Sequence, residues 1–179
     1  TMEKGLNLLD TRFGHFQRFE HRLDDPKSLP SDVVHSLYVD ASGSLWVGTH
    51  EGLGHLLPDG RSFESFSTRN GLPSDVVYGV RSDGHGRLWL STNNGLSRFD
   101  PRSGQFTNYG VSDGLQASEF NFGAYYQSPT GELFFGGIYG FNYFRPEAVR
   151  DNPNVPSVVI TGFRRGNRYE TVRDSGTVL

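Results

Sequence analysis

Apolar and polar side chains alternate along this chain in runs of four to eight residues, with Gly, Asp, Asn or Pro between the runs. Val76, Tyr78 and Val80 stand against Val77, Gly79 and Arg81, a period of two that predicts short, half-buried strands. One stretch reads as strand Asp32 to Asp40, strand Leu45 to Thr49, a turn at Glu51-Gly52, strand Leu53 to Leu57, the turn Pro58-Asp59-Gly60 and strand Ser62 to Ser67. Consecutive strands joined by such short turns predict an antiparallel sheet of four.

The pattern repeats. Leu29-Pro30-Ser31-Asp32-Val33-Val34 returns as Leu72-Pro73-Ser74-Asp75-Val76-Val77, 43 positions on, and Leu45-Trp46-Val47 returns as Leu88-Trp89-Leu90 at the same offset. A third, degenerate copy has Gly114-Leu115, then Leu133-Phe134-Phe135, then Phe141-Asn142-Tyr143. A half copy stands at the front, where Gly5-Leu6 with Phe16 and Phe19 matches Gly95-Leu96 with Phe106 and Tyr109. Four-stranded units at a period in the forties predict an all-β chain of propeller blades, about three of them, forming a partial propeller. A helical repeat of this length is excluded by strings such as Gly84-His85-Gly86 and Pro101-Arg102-Ser103-Gly104, which would break a helix at each copy.

Trp46, Trp89 and Phe134 share one blade position and are expected to fill the wedge between adjacent sheets. Each such burial contributes about 2 to 4 kcal/mol at roughly 25 cal/mol per Å². The spacing Asp40-x-x-Gly43-x-Leu45-Trp46 returns as Asp83-x-x-Gly86-x-Leu88-Trp89, as expected of a hairpin whose glycine takes a positive φ and whose carboxylate binds the turn backbone. A calcium loop is the other use of an Asp-rich turn, but the full ligand series with its distal Glu is missing. Gly52-Leu53-Gly54 begins a dinucleotide fingerprint that fails at Leu57, so no cofactor is expected.

Composition narrows the function. A net charge of -3 offers no field for nucleic acid. The absence of Cys removes disulfides and thiol chemistry, and no apolar run is long enough to insert in a membrane. His50-Glu51, Asn93-Asn94 and Ile138-Tyr139 vary at one turn of successive blades. His50, Glu51, Asn93, Asn94 and Tyr139 are therefore the candidate ligand-binding residues, set against the commoner use of such positions as solvated loop. The remaining histidines show no metal-ligand spacing and most are expected at surfaces and turns, so neither a metal nor a catalytic residue is assigned.

The run from Gly71-Leu72-Pro73-Ser74-Asp75 through Leu88-Trp89-Leu90 to Asn93-Asn94-Gly95-Leu96 resembles the two-component regulator propeller repeat, and residues 29–53 follow it with His50-Glu51 in place of Asn93-Asn94. The resemblance covers about residues 5–165 and implies propeller blades over 1–151, with a terminal blade at about 115–147. Residues 152–179 would be a linker and the truncated start of an immunoglobulin-like sandwich, in which Pro156 to Phe163 resemble the opening strand.

Members of that family are typically periplasmic parts of membrane receptors joined to a histidine kinase or diguanylate cyclase. The resemblance thus implies a ligand-sensing module that binds a small molecule, an oligosaccharide among the candidates, and performs no catalysis. A metal-dependent lyase similar to the streptogramin lyases, with His50 and Glu51 as its equipment, and a protein-interaction scaffold are the competing readings. Thr1 is not a natural start, and an unclosed arc leaves bare faces, so these blades are expected to pack against further blades of a parent protein or against a second copy of the chain.

Overall fold

The computed structural model describes residues 4–151, 162–166 and 168–171. The chain divides into two units, residues 1–149 and 150–179.

The first unit is all-β. A hairpin of β1 (Leu6–Asp10) and β2 (His15–Phe19) precedes a four-stranded sheet of β3 (Val34–Val39), β4 (Leu45–Thr49), β5 (Gly52–Leu56) and β6 (Phe63–Phe66). A second four-stranded sheet follows, made of β7 (Val77–Ser82), β8 (Leu88–Thr92), β9 (Gly95–Asp100) and β10 (Gln105–Tyr109). A third has three strands, β11 (Phe120–Gln127), β12 (Leu133–Gly137) and β13 (Gly140–Phe144). All pairings are antiparallel and run in chain order, which is the connectivity of propeller blades. The first strands of the three sheets, β3, β7 and β11, pack on one another and form the inner wall of the arc.

Alternation along each strand assigns the two faces of a blade to its two neighbours. Leu45, Val47, Leu56 and Phe63 meet Leu6 and Phe19 of the front hairpin, with Phe19 and Phe63 edge to face at 5.4 Å. Trp46, Leu53 and Phe66, on the opposite face, meet Leu88, Leu90 and Phe99 of the next blade. Trp89 and Leu96 repeat the arrangement against Phe120, Leu133 and Phe135. Trp46 is 2% exposed and Trp89 1%. Phe134 has the same register, between Tyr126 and Tyr143 as Trp46 lies between Tyr38 and His55, but it is only half-buried. Its face, with Phe141 63% and Tyr143 65% exposed, has no following blade among the described residues, so the third ring is not enclosed as the first two are.

Asp40 acts within its turn as its spacing suggests. Its Oδ1 accepts from the backbone N–H groups of Ser42 (2.8 Å) and Ser44 (3.0 Å) and from the Ser42 hydroxyl, and Oδ2 accepts the Trp46 indole N–H at 3.0 Å. One carboxylate thus ties the hairpin to the wedge. In the next blade Arg87 replaces Ser44 and takes Oδ2 of Asp83, and the Trp89 indole N–H is left buried without an acceptor.

The second unit contains a hairpin of β14 (Gly162–Arg165) and β15 (Arg168–Thr171). The sandwich strand expected from Pro156 lies largely outside the described residues.

Candidate functional site

Each inner strand breaks its ladder near its start. Val34 pairs with Thr49 and Ser36 with Gly48, which leaves His35 as an extra residue; Val77 pairs with Thr92 and Gly79 with Ser91, which leaves Tyr78. The third break lies between Phe120 and Tyr125 and includes Phe122. A bulge turns its extra side chain out of the regular alternation, and such features often re-aim residues at sites.

The breaks also correct the strand reading made from alternation. Val77 and Val80 are both fully buried, because the period of two slips by one at Tyr78. The strand therefore begins at Val77, and Val76 spends its carbonyl on the N–H of Asn93 rather than on the ladder.

Beside each bulge one small side chain faces one glycine. Ser36 opposes Gly48, Gly79 opposes Ser91, and Ala124 contacts the space beside Gly136. A Cβ on Gly79 would sit 2.5 Å from the Tyr125 ring and 2.8 Å from the Ser91 hydroxyl. The glycine and the small residue exchange strands between blades while their combined size is kept, and this permits the inner strands to approach.

The extra side chains of three successive blades then converge. The His35 ring lies 5.3 Å from Tyr78, 5.4 Å from Phe122 and 5.8 Å from His50. His50 belongs to the β4–β5 turn, and the equivalent Asn93 of the β8–β9 turn accepts from the Tyr78 hydroxyl at 3.5 Å. Burial, reinforced by the neighbouring His50, holds the His35 pKa below its ordinary value, so the imidazole is neutral near pH 7. Burial, with the Glu119 charge second, raises that of Tyr78. The cluster therefore presents uncharged rings together with imidazole, phenol and amide groups capable of hydrogen bonds, which suits a polar, uncharged ligand with a flat face.

The candidates from the sequence fall in three places. His50 and Asn93 join the convergent cluster. Glu51 instead lines a cavity of about 230 Å³ with His21 and Pro30, and Asn94, its counterpart, donates to the Pro73 carbonyl at 3.1 Å. Tyr139 is 79% exposed, and its backbone N–H donates to Gln116. His50 and Glu51, neighbours in sequence, thus face different surroundings, and a lyase that needs both on one ligand is not assembled by this turn. Among the described residues no three His, Asp or Glu side chains converge on a position for a metal ion.

His35 escaped the sequence reading, which gave it no binding role. Two adjacent valines before it, as before Tyr78, are the only mark of the slip in alternation. His55 is likewise not a surface residue: its ring stacks on Trp46 at 4.0 Å and 8°.

Residues 28–51 and 71–94 match the family described as two component regulator propeller, so the first two strands of both four-stranded blades carry that repeat. The fold is similar to the extracellular domain assigned to the hybrid two component system BT3049 of B. thetaiotaomicron, with 20% identity and a TM-score of 0.69 over 82% of this chain and 20% of that one. It is also similar to the extracellular domain assigned to the hybrid two component system BT4673 of the same organism, with 19% identity and a TM-score of 0.65 over 87% of this chain and 21% of that one. PorZ, a surface component of the type-IX secretion system of Porphyromonas gingivalis, is similar at 16% identity and a TM-score of 0.57, over 75% of this chain and 20% of that one. The chain spans about a fifth of the length of these structures, and at such identities the likeness is one of fold. No curated protein matches it.

Proposed function

We propose that these two-component regulator propeller repeats form part of the extracytoplasmic, ligand-sensing region of a membrane receptor, and that this chain contributes binding and not catalysis. The observation that carries the reading is the convergence of His35, Tyr78 and Phe122, one side chain from each of three successive blades, with His50 at its rim. A group seated on those rings touches three successive blades at once, so its occupancy is felt as a change in how those blades stand against one another. Aromatic faces with a few neutral hydrogen-bonding groups suit an oligosaccharide.

The resemblance of the repeats supports a periplasmic location and a histidine kinase or diguanylate cyclase in the parent protein as part of this proposal. No helix among the described residues is long and apolar enough to cross a membrane.

A thermal-shift screen of neutral oligosaccharides against the wild-type chain and a His35→Ala, Tyr78→Phe double variant tests the proposal. A saturating ligand present at 100 times its Kd stabilises the folded chain by about 2.7 kcal/mol. We expect a saccharide-dependent rise in Tm in the wild type that the double variant loses. A screen without any such rise, or a rise that survives in the double variant, removes the cluster as the sensing site.

A further inference from the structure

The front hairpin and the first four-stranded blade enclose a cavity of about 240 Å³ far from the convergent rings in composition and chemistry. Its walls carry Arg18 from β2, Arg22 from the loop after β2, and Arg61 from the β5–β6 turn. The Gln17 side-chain amide donates to the Gly60 carbonyl at 2.7 Å and so fastens the strand bearing Arg18 to the turn bearing Arg61. The floor is the buried, apolar contact of Phe19, Leu29 and Phe63.

Charge within this cavity is unbalanced. Arg18 pairs with Glu20 at 3.1 Å through Nε, and Arg22 pairs with Asp25 at 2.6 Å through a single Nη2. A guanidinium carries five N–H donors, so each keeps others free. The Arg61 side chain has neither an ion pair nor a hydrogen bond among the described residues; only its backbone N–H is engaged, by Asp59. With Glu20 and Asp25 each holding one arginine, three guanidinium groups stand against two carboxylates and leave one net positive charge, that of Arg61, in a chain whose net charge is -3. The guanidinium groups are solvent-exposed, so the attraction is screened by salt, and what the site offers an anion is several N–H donors converging on one concavity around Arg61, unpaired among the described residues.

We infer that this cavity is a binding site for a tetrahedral oxyanion, a sulfate or phosphate group, free or carried as an ester on a larger ligand. Arginine is the residue suited to such a group, since its planar fork places two N–H donors on two oxygens at once. Arg61, without another partner, is the principal contact, and Arg18 and Arg22 supply the donors their carboxylates leave unused. The site is independent of the ring cluster, since it shares no residue with it.

Isothermal titration of the wild-type chain with inorganic sulfate and inorganic phosphate at fixed ionic strength tests the inference, with a sulfated monosaccharide and its neutral parent sugar as a second pair of probes. We expect saturable binding of the oxyanions, weakened about tenfold or more in Arg61→Ala, a loss in keeping with one bond to a charged group. The exposed side chain of Arg61 makes that variant safe for folding, and an Arg61→Lys variant, which keeps the charge without the fork, is expected to bind with intermediate strength. Tighter binding of the sulfated sugar than of free sulfate identifies an esterified ligand, and equal binding identifies the free anion. No saturable binding at all, or an affinity unchanged in Arg61→Ala, overturns the proposal.

Discussion

Trp46 and Trp89 occupy the same place in successive blades and are equally buried, yet only one of their indole N–H groups has an acceptor, and this makes one substitution tested twice an informative perturbation. Replacing either by Phe removes about 40 Å² of buried surface, worth about 1 kcal/mol at roughly 25 cal/mol per Å². At Trp46 the change also removes the bond to Asp40 Oδ2, and hydrogen bonds to charged groups contribute about 1.5–3 kcal/mol. Asp40 is only partly buried, so water replaces the lost donor and the total falls near the lower end, about 2.5 kcal/mol. At Trp89 the change deletes a buried N–H without a partner, a group that costs about 1–3 kcal/mol to keep. That relief offsets the lost burial, so Trp89→Phe is expected to be neutral or mildly stabilising. Equilibrium urea denaturation measures both, and because the chain has only two tryptophans each variant keeps one as its fluorescent reporter. With m unchanged, the two midpoints should differ by the equivalent of about 2.5 kcal/mol or more. Equal costs at the two positions would refute the assignment of the polar partners.

Four further outcomes are expected. Burial alone would raise the Asp40 pKa, but the Ser42 hydroxyl, the Trp46 indole and the turn N–H groups outweigh it and set it below 3.8; stability from this group is present above 3.8 and is lost as pH falls through the folded-state value, so the advantage of wild type over Asp40→Asn should fade on acidification in urea melts. Burial and then His50 hold His35 below 6.5, so the unfolded chain takes up the proton first; stability falls from about pH 6.5 downward, His35→Phe should flatten that slope, and NMR titration of the ring should give a depressed midpoint. Gly79→Ala, which presses a Cβ onto Tyr125 and Ser91, should cost about 1–3 kcal/mol in the same melts. Phe141→Glu with Tyr143→Glu should reduce any concentration-dependent association seen by size exclusion with light scattering, since those rings are exposed on a face of the third blade that no blade among the described residues covers; association unchanged by the pair would place the contact elsewhere.

The blades were legible because their cause is periodic. A residue that fills the wedge must return once per blade, so Trp46 and Trp89 mark the repeat directly, and Asp40 with Gly43 marks the turn that aims the ring. The state of Phe134 was not legible, because enclosure depends on what packs against a blade and not on the blade's own sequence.

The candidate site was half legible for a related reason. Variation at a fixed turn pointed to His50 and Asn93, but the turn also carries Glu51 and Asn94, and only the β-turn's geometry separates the residue that looks toward the inner strands from the one that looks toward the preceding loop. His35, Tyr78 and Phe122 were hidden because a bulge costs the pattern only one position. Two neighbouring valines, Val33-Val34 and Val76-Val77, are what that slip leaves behind, and they read equally well as a strand buried on both faces. The slip nonetheless has a physical purpose visible at Gly79 and Gly48. Where a regular ladder position carries a ring between inner strands, as at Tyr125, the facing strand supplies a glycine, Gly79, to make room, whereas a residue pushed out of the ladder reaches the meeting point of the blades without that provision. A cluster of His, Tyr and Phe at three bulges in succession therefore lets this inner wall carry large, ligand-sized chemistry without forcing its strands apart.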